Sequence, residues 1–356
     1  MSRLKALGFL LVFVVPALMP IAAWLGVATG QPDAAAWFPL LFLFVLLPAL
    51  DFVLGHDPAN VPAEAEVAVA RSRWFMGLTL LAVPVQAVLI PWSAAWFAHA
   101  GFGPIGIAGW LLAQGVVGGI LAINTAHELI HKDGRLERAA GGLLLASVGY
   151  HGFKVEHLRG HHVHVATPAD ASTARRGQSL WGFLPRAMWR NTVAAWRLEA
   201  ARLRGLGLSP WHRRNELLGW TAVWIAMGTG LTLWLGPIGG IFFVAQGLIA
   251  AASLEVINYV EHYGLERARR DDGRYERVAP VHSWNSDFAL SNLLLFQLQR
   301  HSDHHAFPKR RYSVLRHRPE APQLPGGYAA MFVLAFCPPL WRRIVHPRLD
   351  AVAQAA

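Results

Sequence analysis

Residues 104–131 read PIGIAGWLLAQGVVGGILAINTAHELIH. From Pro104 to Asn124 there is no charged residue and no histidine. A bilayer core about 30 Å thick needs roughly 20 such residues of helix to cross it. The run then continues, with no Gly or Pro to stop it, into Asn124-Thr125-Ala126-His127-Glu128-Leu129-Ile130-His131. Residues four apart on a helix share a face, so His127 and His131 can offer two imidazoles to one metal ion. The stretch reads as a membrane helix that delivers a metal-binding pair at its end. Gly115 and Gly119 form a GxxxG pair, which predicts close contact with another helix or is a chance pair in a Gly-rich chain.

Outward from this segment the same reading gives five more spans, over 6–29, 36–54, 74–97, 217–235 and 238–260. Prolines and glycines inside them are tolerated where neighbouring helices satisfy the freed backbone groups. The stretch 139–148 is apolar but too short to cross, and reads as a re-entrant or interfacial helix. Of the 356 residues, 54% are hydrophobic and only 15% charged. The expectation is an all-α polytopic membrane protein whose whole chain, 1–356, forms one domain, with catalytic portions over 125–216 and 261–356. The first span is longer than a signal-peptide core and is read as retained.

The net charge is +10, from 32 Lys+Arg against 22 Asp+Glu. No Lys or Arg occurs over 6–70, 74–131 or 215–266. Connections near 30–35, 98–103 and 236–237 are therefore free of cations, and the positive-inside rule places them outside. Both termini and the long connection 132–214 then lie on the cytoplasmic side of a bacterial-type inner membrane. Cations held to one side of a membrane argue for topology and lipid contact, not nucleic-acid binding.

The 17 histidines are grouped. Besides His127 and His131 there are His157, His161 and His162, then His301, His304 and His305, and His262 at the inner end of the last span. Six spans bring all four groups to one face of the membrane. Nine imidazoles suit two first-row metals with four or five nitrogen ligands each. The residues leave copper, nickel and iron open, while zinc usually takes four ligands in all. HExxH alone would also fit a zinc protease, but that site needs one further ligand, not seven further histidines. Glu128, Glu156, Glu261, Asp170 and Asp303 lie beside the groups, where they can orient imidazole N–H groups or pair with Arg159 and Arg300. His164 and His282 stand close enough to assist. His56, His99, His212, His317 and His346 read as loop or interfacial residues.

At these residues the chain resembles the membrane-bound alkane 1-monooxygenase family, within the wider membrane desaturase and hydroxylase group. The resemblance rests on HELIHK at 127–132, GHH at 160–162 running into VATPAD at 165–170, and NY at 258–259 followed by EHYGL at 261–265. It continues through HSWNS at 282–286 and LQRHSDHH at 298–305. Ile130, Leu158 and His164 depart from the residues usual in that family, and none of the departures removes a histidine. The resemblance implies a non-haem site of two iron ions held by His127, His131, His157, His161, His162, His262, His301, His304 and His305. It also implies hydroxylation of the terminal methyl of medium or long alkanes with O2, and electrons from rubredoxin, itself served by rubredoxin reductase. A xylene-type methyl hydroxylase or a fatty acyl desaturase on the same scaffold is the neighbouring reading. A metal transporter would place its ionisable groups near mid-membrane, where this chain has none of its histidines.

Two further expectations follow. An alkane dissolves in the bilayer, so a narrow tunnel between helices would admit it end-on, and Trp37, Leu43 and Phe44 of the second span are candidates to line it. The chain has one cysteine, Cys337, and no flavin or nicotinamide loop, so electrons come from outside. Lys309, Arg310 and Arg311, just past His305, are candidates for docking an acidic donor.

Overall fold

The structure is a computed structural model and describes residues 2–355. Helix α1 runs over Arg3–Thr29. The Ser2 hydroxyl accepts the Lys5 N–H at 3.2 Å, which caps its start. Gly30, at φ +68°, ends it in the left-handed conformation that glycine adopts freely. Helix α2 follows at once over Pro32–Leu54, opening on a proline that has no N–H to lose. A short helix α3, Ala63–Ala70, leads to α4, Arg73–His99. Helix α5 covers Pro104–Ile130. Three helices then lie outside the spans: α6 at Arg135–Ser147, α7 over 153–164, and α8 at Leu180–Gly205. Two more long apolar helices follow, α9 at Glu216–Leu235 and α10 at Pro237–His262. The C-terminal part is irregular and carries α11 (Ala289–Leu294), α12 (His301–Ala306), α13 (Tyr328–Ala335) and α14 (Pro338–Ala355). Among the described residues there are no strands, only three isolated β-bridges.

Six helices, α1, α2, α4, α5, α9 and α10, are long and apolar enough to cross a membrane. They match the six expected spans, with ends extended by one to six residues. The largest extension matters most. Helix α5 runs on to Ile130, so His127 sits inside continuous helix. The stretch 139–148 belongs to α6, which is largely buried against the bundle.

Local contacts define the two ends of the bundle. At one end the Asp33 carboxylate accepts the Gly103 N–H at 2.9 Å, and the Trp37 indole donates to the Ile105 carbonyl at 3.2 Å. The three cation-free connections lie at this end. At the other end Lys5 pairs with Asp57 at 2.6 Å and the Trp74 indole donates to the Ala6 carbonyl at 3.0 Å. All four histidine groups lie here, with α6, α7, α8 and the C-terminal helices.

Helix α5 is central: 61% of its most apolar stretch is buried, against 11% for the peripheral α9. It packs on α10 through glycines. A Cβ at Gly115 would stand 2.4 Å from the Ile249 Cβ and 3.0 Å from the Gln246 carbonyl. Gly119 faces Ser253 and Ala250 of the same helix. Packing without room for a methyl brings the histidine-bearing ends of α5 and α10 together. Gly115→Ala must shift one helix, at about 1–3 kcal/mol. We expect it to lower the unfolding temperature in detergent. Gly230→Ala in α9, where nothing lies within 4 Å, should not. Equal unfolding temperatures for the two variants would refute the tight contact.

Candidate metal centre

The nine histidines converge in two groups. His127, His131, His157, His162 and His304 form one; His161, His262, His301 and His305 form the other. All but half-buried His162 are buried. Helix α5 supplies His127 and His131, α10 supplies His262, and α7 and α12 each supply histidines to both groups.

Helix α7 shows how one helix serves two groups. Residues 157–161 form a π-helical turn, in which the His162 N–H donates to the His157 carbonyl, five residues back. The wide turn sets His162 above His157, so these two share a group and His161 faces the other. The rings of His157 and His161, four apart, do stack at 5.2 Å, but across the π turn they present their nitrogens to different groups. In α12 the ordinary turn holds: His301 and His305 share one group, and His304 turns to the other.

Within the five-membered group, His157 Nε2 lies 3.0 Å from His131 Nε2 and 3.0 Å from His162 Nε2. His304 Nε2 is 3.2 Å from His162 Nε2, and His127 Nε2 has no hydrogen-bond partner. In the other group His161 and His305, His262 and His301, and His301 and His305 bring their Nε2 atoms to 3.2, 3.1 and 2.9 Å. Burial, and then the neighbouring imidazoles, holds His131, His157, His162, His301, His304 and His305 well below the ordinary imidazole pKa. They are neutral, which is the form that offers a lone pair to a metal.

His161 differs. Its Nδ1 lies 3.0 Å from Asp170, whose carboxylate also accepts the Thr173 hydroxyl at 2.6 Å and the Ser172 N–H at 3.1 Å. Burial would raise the Asp170 pKa, but the adjacent His161 imidazole and the hydrogen bonds to it and to Thr173 bring it down to about 2. Nδ1–H donates to this carboxylate, which leaves Nε2 free to bind. Glu261 approaches the other way, with Oε2 at 3.2 Å from His301 Nε2.

Glu128 and Asp303 do not touch an imidazole. Glu128 pairs with Lys132 at 2.9 Å and accepts the Tyr312 N–H at 3.2 Å. Asp303 receives two bonds from Arg310 at 2.8 Å, one from Arg318 at 2.7 Å and the Arg316 N–H at 3.0 Å. Both acids anchor the segment 310–318. The His282 ring pairs with Glu276 at 2.9 Å, its backbone carbonyl accepts a hydrogen bond from His262, and the Ser283 hydroxyl stands 3.5 Å from His262 Nδ1.

At the expected docking surface, 309–311, the charges are largely paired. Arg310 is committed to Asp303 and to Glu66 at 3.2 Å, and Arg311 to Glu137 at 2.8 Å. Only Lys309 is well exposed, and it pairs with exposed Asp133 at 2.9 Å. These guanidinium groups hold the C-terminal segment to the bundle and leave little free charge for a partner.

Leu43 and Phe44 line a narrow apolar cavity of about 80 Å³ between α2, α5, α10 and α13. Phe44 stacks on Phe332 at 4.8 Å. Asn124, Ile257, Leu298 and Tyr328 complete its polar and deep parts. Trp37 is not part of it: it packs on Gly109 at the opposite end of the bundle.

Sequence reasoning missed a buried polar cluster around Glu255. The Tyr150 hydroxyl and the Asn191 amide (3.0 Å) bond one carboxylate oxygen, and Asn258 bonds the other at 3.1 Å. Asn191 also bonds the Ser172 hydroxyl at 3.0 Å, which ties the cluster to the Asp170 loop. An acid within an apolar span was the available signal. Fully buried Arg300 was missed as an anchor too. It donates to the carbonyls of Leu315 and Asp57, each at 2.7 Å, and fixes the start of α12.

Comparison with known proteins agrees with this architecture. Residues 103–335 match the fatty acid desaturase family. The chain is 50% identical to alkane 1-monooxygenase 2 of Pseudomonas aeruginosa, over 99% of its own length and 94% of that protein. It is 48% identical to alkane 1-monooxygenase 2 of Alcanivorax borkumensis, over 99% and 92%. It is 32% identical to the hydroxylase component of xylene/toluene monooxygenase of Pseudomonas putida, over 69% and 65%. A membrane bundle that gathers nine histidines at one end, with this similarity along its whole length, belongs to the alkane 1-monooxygenase group of the fatty acid desaturase family.

Proposed function

We propose that the protein hydroxylates the terminal methyl of medium or long alkanes, using O2, two iron ions held by the nine histidines, and electrons from rubredoxin. One observation carries the reading. The apolar cavity reaches Asn124 and Leu298, each three residues before a histidine of the site, His127 and His301, and Ile257, five before His262. A hydrocarbon chain in the cavity would therefore lie against the helix ends that carry both histidine groups.

The donor set fits two metal ions. Neutral imidazole nitrogens about 3 Å apart cannot all hydrogen-bond one another, since each pair needs a proton that only one of them carries. Ligands held about 2.1 Å from a shared ion stand roughly 3.0–3.4 Å apart, as these do. Iron bound there would supply the redox chemistry that places one oxygen atom in the substrate and releases the other as water. The chain's own part is positional. Leu43, Phe44, Leu47 and Phe332 exclude water and admit an alkyl chain lengthwise, so the terminal carbon is attacked by proximity. Asp170 fixes the orientation of His161. The chain has a single cysteine, Cys337, which is exposed, so an outside donor is required. The distribution of cations supports a histidine end on the cytoplasmic side of the inner membrane, where rubredoxin is reached.

Metal analysis with decane turnover tests the reading. His262→Ala should lower iron content and abolish 1-decanol formation, as should His127→Ala and His304→Ala. His346→Ala, whose Nε2 meets the Tyr263 hydroxyl at 2.9 Å away from the site, should retain both. Full iron and activity in His262→Ala would break the nine-ligand assignment.

Chain length tests the cavity separately. Phe44→Ala or Leu43→Ala should extend the longest accepted alkane. Leu41→Ala, exposed on the same helix, should leave the product profile unchanged. An identical profile in all three variants would remove α2 from the substrate path.

A further inference from the structure

A second opening reaches the site from the side away from the alkane cavity. One face of α8, with Trp189, Arg190, Val193, Ala194, Arg197 and Leu198, forms one wall of a polar cleft of about 340 Å³. The opposite wall is the face of α7 that carries Glu156, Gly160 and His164, and residues 169–171 close the back. The other side of α7 holds His157, His161 and His162. At the back of the cleft is Asp170, hydrogen-bonded at 3.0 Å to His161 Nδ1. A single side chain thus separates the cleft from the four-histidine group.

The charge around this cleft is not neutralised as it is at 309–311. Among the described residues, Arg190 and Arg197 make no ion pair or hydrogen bond, and Arg197 is exposed. Arg186 donates only to the carbonyls of Ala171 and Thr173, at 3.4 and 3.3 Å. Arg267 donates only to the carbonyls of Val163 and Glu276, at 2.8 and 3.1 Å. Arg190 and Arg197, which line the cleft, therefore keep their charge, while its acids, Glu156 and Asp170, are buried. Trp189, 71% exposed, offers an aromatic surface at the rim.

We propose that this cleft, rimmed by Arg190, Arg197 and Trp189, is where a small acidic one-electron carrier docks, with electrons entering through Asp170 and His161. The proposal rests on the hydroxylation reading, because it is that reaction which consumes electrons. Each product requires O2 + 2 e⁻ + 2 H⁺ + R–CH3 → R–CH2OH + H2O. A reduced carrier gives up one electron per encounter and is itself oxidised, so two encounters serve one turnover. Unpaired cations facing an acidic carrier speed its encounter and make it sensitive to salt.

The test uses the full chain in nanodiscs of zwitterionic phosphatidylcholine, with purified rubredoxin as the carrier. Two quantities are read: the rubredoxin concentration for half-maximal decane turnover, and 1-decanol formed in a single turnover after reduction by dithionite with a small dye. For Arg190→Glu with Arg197→Glu we expect the half-maximal concentration to rise about tenfold or more, with the single-turnover yield unchanged. Arg190→Lys with Arg197→Lys should restore near wild-type behaviour, and Lys309→Glu should change little. An unchanged half-maximal concentration in the double reversal would overturn the proposal. So would a parallel fall in single-turnover yield, which would assign these arginines to the site itself. An effect that appears only when anionic lipid is added would also overturn it and make the cleft a headgroup site. If chemically reduced wild type forms no 1-decanol, the hydroxylation reading falls and this surface with it.

Discussion

Nine imidazoles, eight of them buried, whose nitrogens face one another are the constraint on which the rest of the structure depends. Buried donors and acceptors normally find partners, and an unmade bond costs about 1–3 kcal/mol for each group. Here the Nε2 atoms mostly face other imidazole nitrogens about 3 Å away, and His127 Nε2 meets no partner at all. Such a cluster could hold a cation at each of its two centres. The protein has to hold the lone pairs in register by means that lie outside the cluster.

Those means are polar anchors fixed to backbone. Asp303 draws three arginine segments onto α12, Glu128 takes Lys132 and the Tyr312 N–H, and Arg300 spans from Asp57 to Leu315. None of these three side chains touches an imidazole, yet each fixes a segment that carries one. Their removal would leave a buried charge unpaired, so the metal-bearing ends of the helices are tied to the folding of the whole capping region. The glycine contact between α5 and α10 does the same work within the apolar bundle, by closing the gap between His127 and His262.

The site is thereby placed between two different solvents. On the bundle side an apolar cavity walled by α2, α5, α10 and α13 extends to Asn124, Ile257 and Leu298, on the segments that carry the histidines, and suits a hydrocarbon that partitions into lipid. On the capping side a polar cleft ends at Asp170. Substrate and reducing equivalents have opposite solubilities, and a metal site at the end of a membrane bundle can be approached by each through its own medium.

Much of this was legible in the sequence. Long runs without charge mark membrane helices because burying a charge in hydrocarbon is expensive, and all six were found within a few residues of their ends. The nine histidines stand out because their spacings and their positions at one end of the spans leave them nowhere else to meet. Leu43 and Phe44 of the second span line the cavity, and Trp37 does not. What the sequence could not divide was the set into five and four. The π turn at 157–161 depends on how α7 is held between α8 and the bundle, and across it His161 and His157 present their nitrogens to different groups. Nor could the sequence say which charges are free. Arg310 and Arg311 look like a docking patch until Asp303, Glu66 and Glu137 fold against them, whereas Arg190 and Arg197 meet no acid. Local patterning determines helices, because hydrophobicity and helical period act over a few residues. Partners more than a hundred positions apart are decided only when the chain closes, because ion pairing depends on distance in space.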